Sequence, residues 1–310
     1  MKILVLGAGA TGGYFGGRLA QAGADVTFLV RERRAAQLAK DGLVVKSPHG
    51  DFTLRVQYVT QAKPEYDLVM LTPKAYDLDA ALESIRPALR PATHVLPLLN
   101  GLAHLDRLDA ELGAARVVGG TCHIAGTMTP EGEIRQLTQL QRIAYGLRSG
   151  TGADARAKLE ALHAAYRRAS IDAVLADDIM LELWEKYVLL ATLAAMTCLM
   201  RASVGDIMAT GEGEALMEET FVACVGTAAA AGHPPREKAL AGARKFLFER
   251  GSTFTASMLR DVEAGLRTEV DHIVGDMLKR VRAAGVDPGP LRAAYAHLQA
   301  YQARRKREGG

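Results

Sequence analysis

The stretch MKILVLGAGATGGYFGGRLAQAGADVTFLVRERR, Met1 to Arg34, decides the fold. Ile3 to Leu6 is a short apolar run, suited to a buried parallel strand. Gly7-Ala8-Gly9-Ala10-Thr11-Gly12 follows at once, Tyr14 to Ala22 reads as a helix stopped by Gly23, and Val26 to Val30 is a second apolar run. The pattern is a βαβ unit whose glycines have separate tasks. Gly7 permits the tight turn, Gly9 leaves the backbone open to a pyrophosphate, and Gly12 lets the helix pack closely on the strand. The helix N-terminus then turns free N–H groups and a partial positive charge toward the phosphates. A bare GxGxxG pattern is common in loops; the flanking strand and helix, with a second strand at the expected distance, make it specific.

The end of the second strand selects the cofactor. An NAD site calls for Asp or Glu there, to bond the ribose 2′-hydroxyl. This chain places Arg31 there, followed by Glu32, Arg33 and Arg34. A guanidinium grips a 2′-phosphate with two charge-assisted bonds, so the expected cofactor is NADP. Two other readings stay open: a solvated basic loop, or a one-residue shift that aims Glu32 at a ribose.

At 310 residues the chain has room for two domains. Its 49% hydrophobic and 24% charged content is that of an ordinary globular protein, and a formal charge of +3 is too small to argue for nucleic acid. Cys122, Cys198 and Cys224 are scattered, without metal or disulfide spacing, and fit a reducing cytoplasm. The run after Lys2 is too short and glycine-rich for a signal peptide. The longest apolar run, Tyr187 to Met200, has 14 residues against the roughly 20 of a membrane span, so it reads as a buried helix. No membrane partner is expected.

Beyond Arg34, Leu43 to Val45 and Phe52 to Val56 read as a hairpin. Tyr66 to Leu71 reads as a buried strand, followed by a helix from Thr72 to Leu89, and His94 to Leu99 as the next strand. Arg116 to Ala125, Glu133 to Leu137, Arg142 to Tyr145 and Asp172 to Leu175 read as further strands completing the sheet. From Asp178 the pattern turns helical, over about 179–200, 212–231, 236–250, 253–284 and 290–304, with a break expected at Gly265. The fold class is therefore α/β: a Rossmann domain with a mostly parallel sheet over 1–176, then an all-helical domain over 177–310. The active site is expected in the groove where they meet. A homodimer is the assembly considered, although pattern alone marks no seam on the helical half.

Several stretches could carry chemistry. Lys74 follows a strand end, placed either to meet the cofactor or as a helix-start surface lysine. Asn100, the one asparagine in the chain, suits a nicotinamide amide or a substrate carbonyl, although Asn-Gly is also a common turn pair. Lys186, in Leu183-Trp184-Glu185-Lys186, stands ahead of the buried run. Desolvation there would bring a lysine from ~10.4 toward the ~7–8 useful for acid–base work, unless the side chain snorkels at the domain edge. Glu269, in Arg267-Thr268-Glu269-Val270-Asp271, flanks an apolar helix face or serves as a helix N-terminal acid.

With Ser257-Met258-Leu259 and Asp261 added, these stretches resemble the ketopantoate reductase (2-dehydropantoate 2-reductase, PanE/ApbA type) family over nearly the whole chain. The resemblance implies NADPH-dependent reduction of a small 2-oxo acid to the 2-hydroxy acid, ketopantoate to pantoate, in pantothenate biosynthesis. It implies Lys186 as general acid, and Glu269 at the nicotinamide–substrate junction, helping to set the charge of Lys186. Ser257 would bond the substrate carboxylate and Asn100 would touch both cofactor and substrate. Arg31 and Lys74 would hold the cofactor, with Ala125 beside it. The chain departs from the family pattern where asparagines are expected, carrying Leu190, Ala194, Val204 and Phe254 instead. That departure suggests a more apolar 2-oxo acid, or an imine, as an alternative substrate. A non-catalytic NADP-binding sensor is the reading from a different class; the Lys186–Glu269 pair speaks against it.

Overall fold

The computed structural model describes residues 1–309, which divide into two units. One comprises Met1–Leu99 and His104–Ile179; the other comprises Asn100–Ala103 and the chain from Met180 onward. In order, the first stretch of chain forms β1 (Ile3–Leu6), α1 (Ala10–Gln21), β2 (Val26–Leu29), α2 (Glu32–Asp41), β3 (Leu43–Lys46), β4 (Phe52–Leu54) and β5 (Gln57–Val59). Then come β6 (Leu68–Leu71), α3 (Leu78–Ile85), β7 (His94–Pro97), α4 (Ala103–Leu112), β8 (Gly119–Met128), β9 (Ile134–Gly146), α5 (Ala155–Arg168) and β10 (Asp172–Leu175).

A parallel five-stranded sheet has the order β5-β2-β1-β6-β7. Ile3–Leu6 pairs in register with Val26–Leu29 on one side and Leu68–Leu71 on the other. Strand addition therefore reverses direction at β1, and such a switch point is where open α/β sheets bind ligands. β2, β6 and β7 are buried along their whole length, which is why they read as unbroken apolar runs.

The later strands do not complete this sheet, contrary to expectation. β8 and β9 pair antiparallel, β9 takes β3 and β10 as parallel neighbours, and β4 closes the edge against β3, making a second sheet of five strands. The middle of β9 is exposed, with Leu137 and Leu140 in water, and an interior strand of a parallel sheet must be apolar on both faces. Other boundaries also move. α1 starts at Ala10 rather than Tyr14, because the glycine turn is already the first helical turn, with Gly13 N–H donating to Gly9 O at 2.8 Å. The helix expected from Thr72 is cut into a 3₁₀ turn at Ala75–Asp77, α3, and another 3₁₀ turn at Arg86–Ala88. β5 and α4 carry no sequence pattern strong enough to have announced them.

The helical unit contains α6 (Ile179–Met200), α7 (Val204–Met208), α8 (Gly213–Ala230), α9 (Glu237–Leu247), α10 (Ser257–Glu263), α11 (Asp276–Ala283) and α12 (Leu291–Arg307). α6 has 22 residues, long and apolar enough to cross a membrane by length and composition, and 67% of its most apolar window is buried within the protein. An all-round apolar helix of this kind forms a core. Its first turns are tied to Arg236, which meets Glu182 at 2.6 Å and Glu185 at 2.5 Å. α7 is an unexpected short helix fixed by a capping box between Ser203 and Asp206. The single long helix expected over 253–284 is interrupted more fully than by a break at Gly265. Gly265 takes φ +70, residues 266–269 form no regular element, and a π-helical turn at Asp271–Gly275 leads into α11. The carbonyls released there are taken by α12: Arg305 Nε donates to Gly265 O at 2.9 Å and Tyr301 Oη to Leu266 O at 2.8 Å.

Candidate active site

One group of candidate residues forms the turn after β1. Gly7 has φ +91, a conformation open to glycine, and Thr72 Oγ1 at the end of β6 donates to Leu6 O at 2.8 Å. A Cβ on Gly12 would lie 2.3 Å from Gly7 O and 2.4 Å from Thr72 Oγ1, so only glycine lets α1 approach β1 this closely. At Gly9 a Cβ would meet nothing within 4 Å: this glycine faces open space. It also stands at the N-cap of α1, where no side chain caps the helix and the first turn carries no acidic residue. Free helix N–H groups bordering open space suit a phosphate anion.

That space is a cavity of about 850 Å³. Of the residues expected at the cofactor, Gly7, Ala8, Gly9 and Arg31 border it. Ala10, Thr11 and Gly12 lie in the first turn of α1 and do not form its wall. Lys74 is exposed, at the cap of the Ala75–Asp77 turn, and Ala125 lies at the register shift of β8; neither borders the cavity. Glu32, the alternative ribose partner, also borders it, and so do Thr72, Pro73, Ala80, Ser84 and the Met128–Pro130 segment, which sequence reasoning missed. Arg33 and Arg34 also border it, and the basic run after β2 was their visible signal. A glycine turn, an uncapped helix N-terminus and three arginines fit a phosphate-bearing dinucleotide.

Another group of candidate residues lies in the helical unit. Asn100 and Gly101 follow β7, which ends at Pro97, and so occupy a turn rather than a strand end. Gly101 has φ +77, and a Cβ there would stand 3.0 Å from His272 O and 3.6 Å from the Tyr187 ring. The turn thus packs against α6 and the π-helical segment. Lys186 Nζ, half-buried on α6, donates to Asn100 Oδ1 at 3.0 Å. With Oδ1 so engaged, the amide's Nδ2 is its donor side.

Glu269 is buried just before the π turn, 7% exposed, and its carbonyl accepts from His272 N at 3.1 Å and Ile273 N at 3.0 Å. The His272 imidazole hydrogen-bonds the Asn100 main chain. Burial pushes its pKa down, against the opposing pull of the Glu269 and Asp276 carboxylates and that hydrogen bond. Asn100 is therefore the shared point, meeting Lys186 through its side chain and His272 through its backbone. His272 is the residue that sequence reasoning missed, although it stands only three positions after Glu269. The Tyr187 hydroxyl lies 2.7 Å from Ile273 O and 3.0 Å from Asp276 Oδ2, which anchors the π turn to α6 one residue beyond Lys186.

Ser257 is exposed and opens α10. The positions that lack the family's asparagines do not behave alike. Leu190 is half-buried and Phe254 is 40% exposed, but Ala194 and Val204 are fully buried.

The parallel sheet, its switch point and the phosphate turn define a dinucleotide-binding enzyme of the Rossmann class. Comparison with known proteins narrows the class. The profile of "Ketopantoate reductase PanE/ApbA" matches residues 3–150, and that of its C-terminal region matches residues 178–302. An "Uncharacterized oxidoreductase YkpB" of Bacillus subtilis is 32% identical, covering 98% of this chain and 99% of its own. A 2-dehydropantoate 2-reductase of Nostoc is 27% identical over 96% of this chain and 94% of its own. The crystal structure of 2-dehydropantoate 2-reductase from Geobacter metallireducens superposes with a TM-score of 0.86 at 28% identity, covering 97% and 99% of the two chains. The chain belongs to the ketopantoate reductase PanE/ApbA family and is an oxidoreductase of that type, with a nicotinamide dinucleotide as its class of cofactor.

Proposed function

We propose that the protein is an NADPH-dependent reductase of a small 2-oxo acid, converting ketopantoate to pantoate, and so serves pantothenate biosynthesis in the cytoplasm. The observation that carries the reading is the Lys186–Asn100 hydrogen bond of 3.0 Å, which holds an ammonium at a defined point on the same asparagine that meets His272. The reduced nicotinamide, when bound, supplies the hydride. As hydride reaches the carbonyl carbon, negative charge builds on the oxygen. Lys186 stabilises that charge and gives up a proton, which makes the hydroxyl. Asn100 orients the ammonium and offers Nδ2 to the substrate or carboxamide, Ser257 bonds the substrate carboxylate, and Glu269 helps to keep Lys186 charged.

The cofactor is assigned to residues 1–176 and the catalytic groups mainly to 177–310. Gly7, Ala8, Gly9 and the α1 N-terminus (Ala10, Thr11, Gly12) take the pyrophosphate. Arg31 takes the 2′-phosphate, with Lys74 and Ala125 as further contacts. Support for NADP is the presence of Arg31 and Arg33 on the cavity wall after β2. Steady-state Michaelis constants test it: a lower value for NADH than for NADPH removes this part.

One observation favours a second substrate class. Leu190, one helical turn after Lys186, is half-buried, and Phe254 is exposed, so apolar groups stand where the family pattern has amides. A panel of 2-oxo acids with and without a hydroxyl, followed by NADPH absorbance, separates the readings. Clear preference for ketopantoate retires the apolar substrate, and no turnover on any member favours the NADP-binding sensor. A homodimer completes the proposal. Exposed Val222 and Phe246 are apolar surface of the helical unit that a second copy would cover, and light scattering measures the mass.

A further inference from the structure

Arg34 carries a charge that its protein neighbours do not answer. It lies in the first turn of α2, where the helix dipole opposes a cation. Burial also disfavours its charged form. All its acceptors are neutral: Nε donates to Ala8 O at 3.0 Å, and Nη1 donates to Gly132 O at 2.8 Å and to Gln37 Oε1 at 3.2 Å. Nη2 is shielded from water and has no acceptor. The arrangement is built around the guanidinium, since a Cβ on Gly132 would lie 2.2 Å from Nη1. Through these bonds Arg34 joins the phosphate turn, α2 and the β8–β9 turn, all of which border the dinucleotide cavity, as does Arg34 itself.

A half-buried guanidinium with one shielded N–H left unanswered is costly. A neutral side chain would be cheaper here unless an anion completes the site. We propose that the 2′-phosphate of the bound dinucleotide completes Arg34, making it, with Arg31, a determinant of phosphorylated over unphosphorylated cofactor. The proposal rests on the NADP reading above. It assigns Arg34 two jobs, a brace for the turn and a charged donor for the phosphate.

The test is fluorescence titration of the full chain with NADPH, NADH, adenosine 2′,5′-bisphosphate and 5′-ADP. Arg34→Gln is compared with wild type. A lost charge-assisted hydrogen bond predicts that Arg34→Gln weakens NADPH and the bisphosphate about 10- to 100-fold. NADH and 5′-ADP should hold their affinity. Equal loss for both dinucleotides, or loss for neither, overturns the proposal. Should Arg34→Gln fail to melt cooperatively, Arg34→Lys keeps a charge without the fork; a selective loss of NADPH supports the proposal and an equal loss refutes it. A wild type that binds NADH more tightly than NADPH refutes the cofactor reading itself, before any variant is made.

Discussion

Replacing Lys186 by Ala separates chemistry from cofactor binding. The side chain removed is the donor to Asn100 Oδ1 at 3.0 Å, and it forms no part of the dinucleotide cavity wall. A positioned general acid contributes about 10²- to 10⁴-fold, or about 3–5 kcal/mol of barrier, so kcat should fall by that factor. Loss of one half-buried hydrogen bond from a charged group costs about 1 kcal/mol of stability, a change of about 2 °C in Tm. The assay is stopped-flow reduction of a 2-oxo acid with NADPH, paired with fluorescence titration of NADPH and a thermal melt. Collapsed turnover, unchanged NADPH affinity and a nearly unchanged melt are the expected set. Turnover within about threefold of wild type would remove Lys186 from the mechanism, because no general acid contributes so little. A parallel loss of NADPH affinity would show that the variant disturbs more than the proton donor.

Three further perturbations follow from the geometry. Gly12→Ala and Gly9→Ala should differ in kind: the first forces a Cβ to 2.3 Å from Gly7 O and should cost about 1–3 kcal/mol in a chemical melt, whereas the second meets no protein atom and should weaken NADPH binding alone. His272 is held neutral by burial, its folded pKa lying below the unfolded value. Its contribution to stability is therefore complete above about pH 6.5 and is lost as pH falls through the folded value. His94 is shifted the same way by burial and by Lys158, so His272→Gln should reduce, without abolishing, the acid-side fall in Tm. A Tm independent of pH between about 7 and 5 in wild type would contradict both assignments. Cys198 and Cys224 are fully buried and pushed up to about 12, so neither should react with a disulfide reagent until the protein is unfolded.

The parallel half of the fold was legible because its signals are local. A βαβ unit shows itself through a glycine turn between two apolar runs, and Gly7 and Gly12 have the geometric roles that their spacing implied. Sheet membership is not local. β8 and β9 were visible as strands, yet nothing in their residues states which edge they join; β9 pairs with β3, far back in the chain, and β8 with β9. The interrupted helix after Ser257 failed for a related reason. Gly265 marked a break, but the carbonyls of Gly265 and Leu266 are held by Arg305 and Tyr301, on a helix whose docking no periodicity reveals.

The site shows the same division, and it bears on the substrate. Residue types that announce chemistry, such as Lys186 and Asn100, could be named from sequence, and the structure brings these two together. His272 was missed because its part depends on a turn from a distant segment, Asn100 and Gly101, packing onto it. The absent asparagines read in sequence as one change in pocket polarity. In three dimensions they separate, because Ala194 and Val204 have no exposed surface and an asparagine there would need a buried partner of its own. Leu190 and Phe254 do reach solvent. The selectivity argument therefore belongs to those two positions: Leu190→Asn should raise kcat/KM for a hydroxylated 2-oxo acid relative to its deoxy analogue, while Ala194→Asn should chiefly lower Tm. A reversed outcome, with Ala194→Asn changing selectivity and Leu190→Asn leaving it untouched, would show that the substrate meets the deep face of α6.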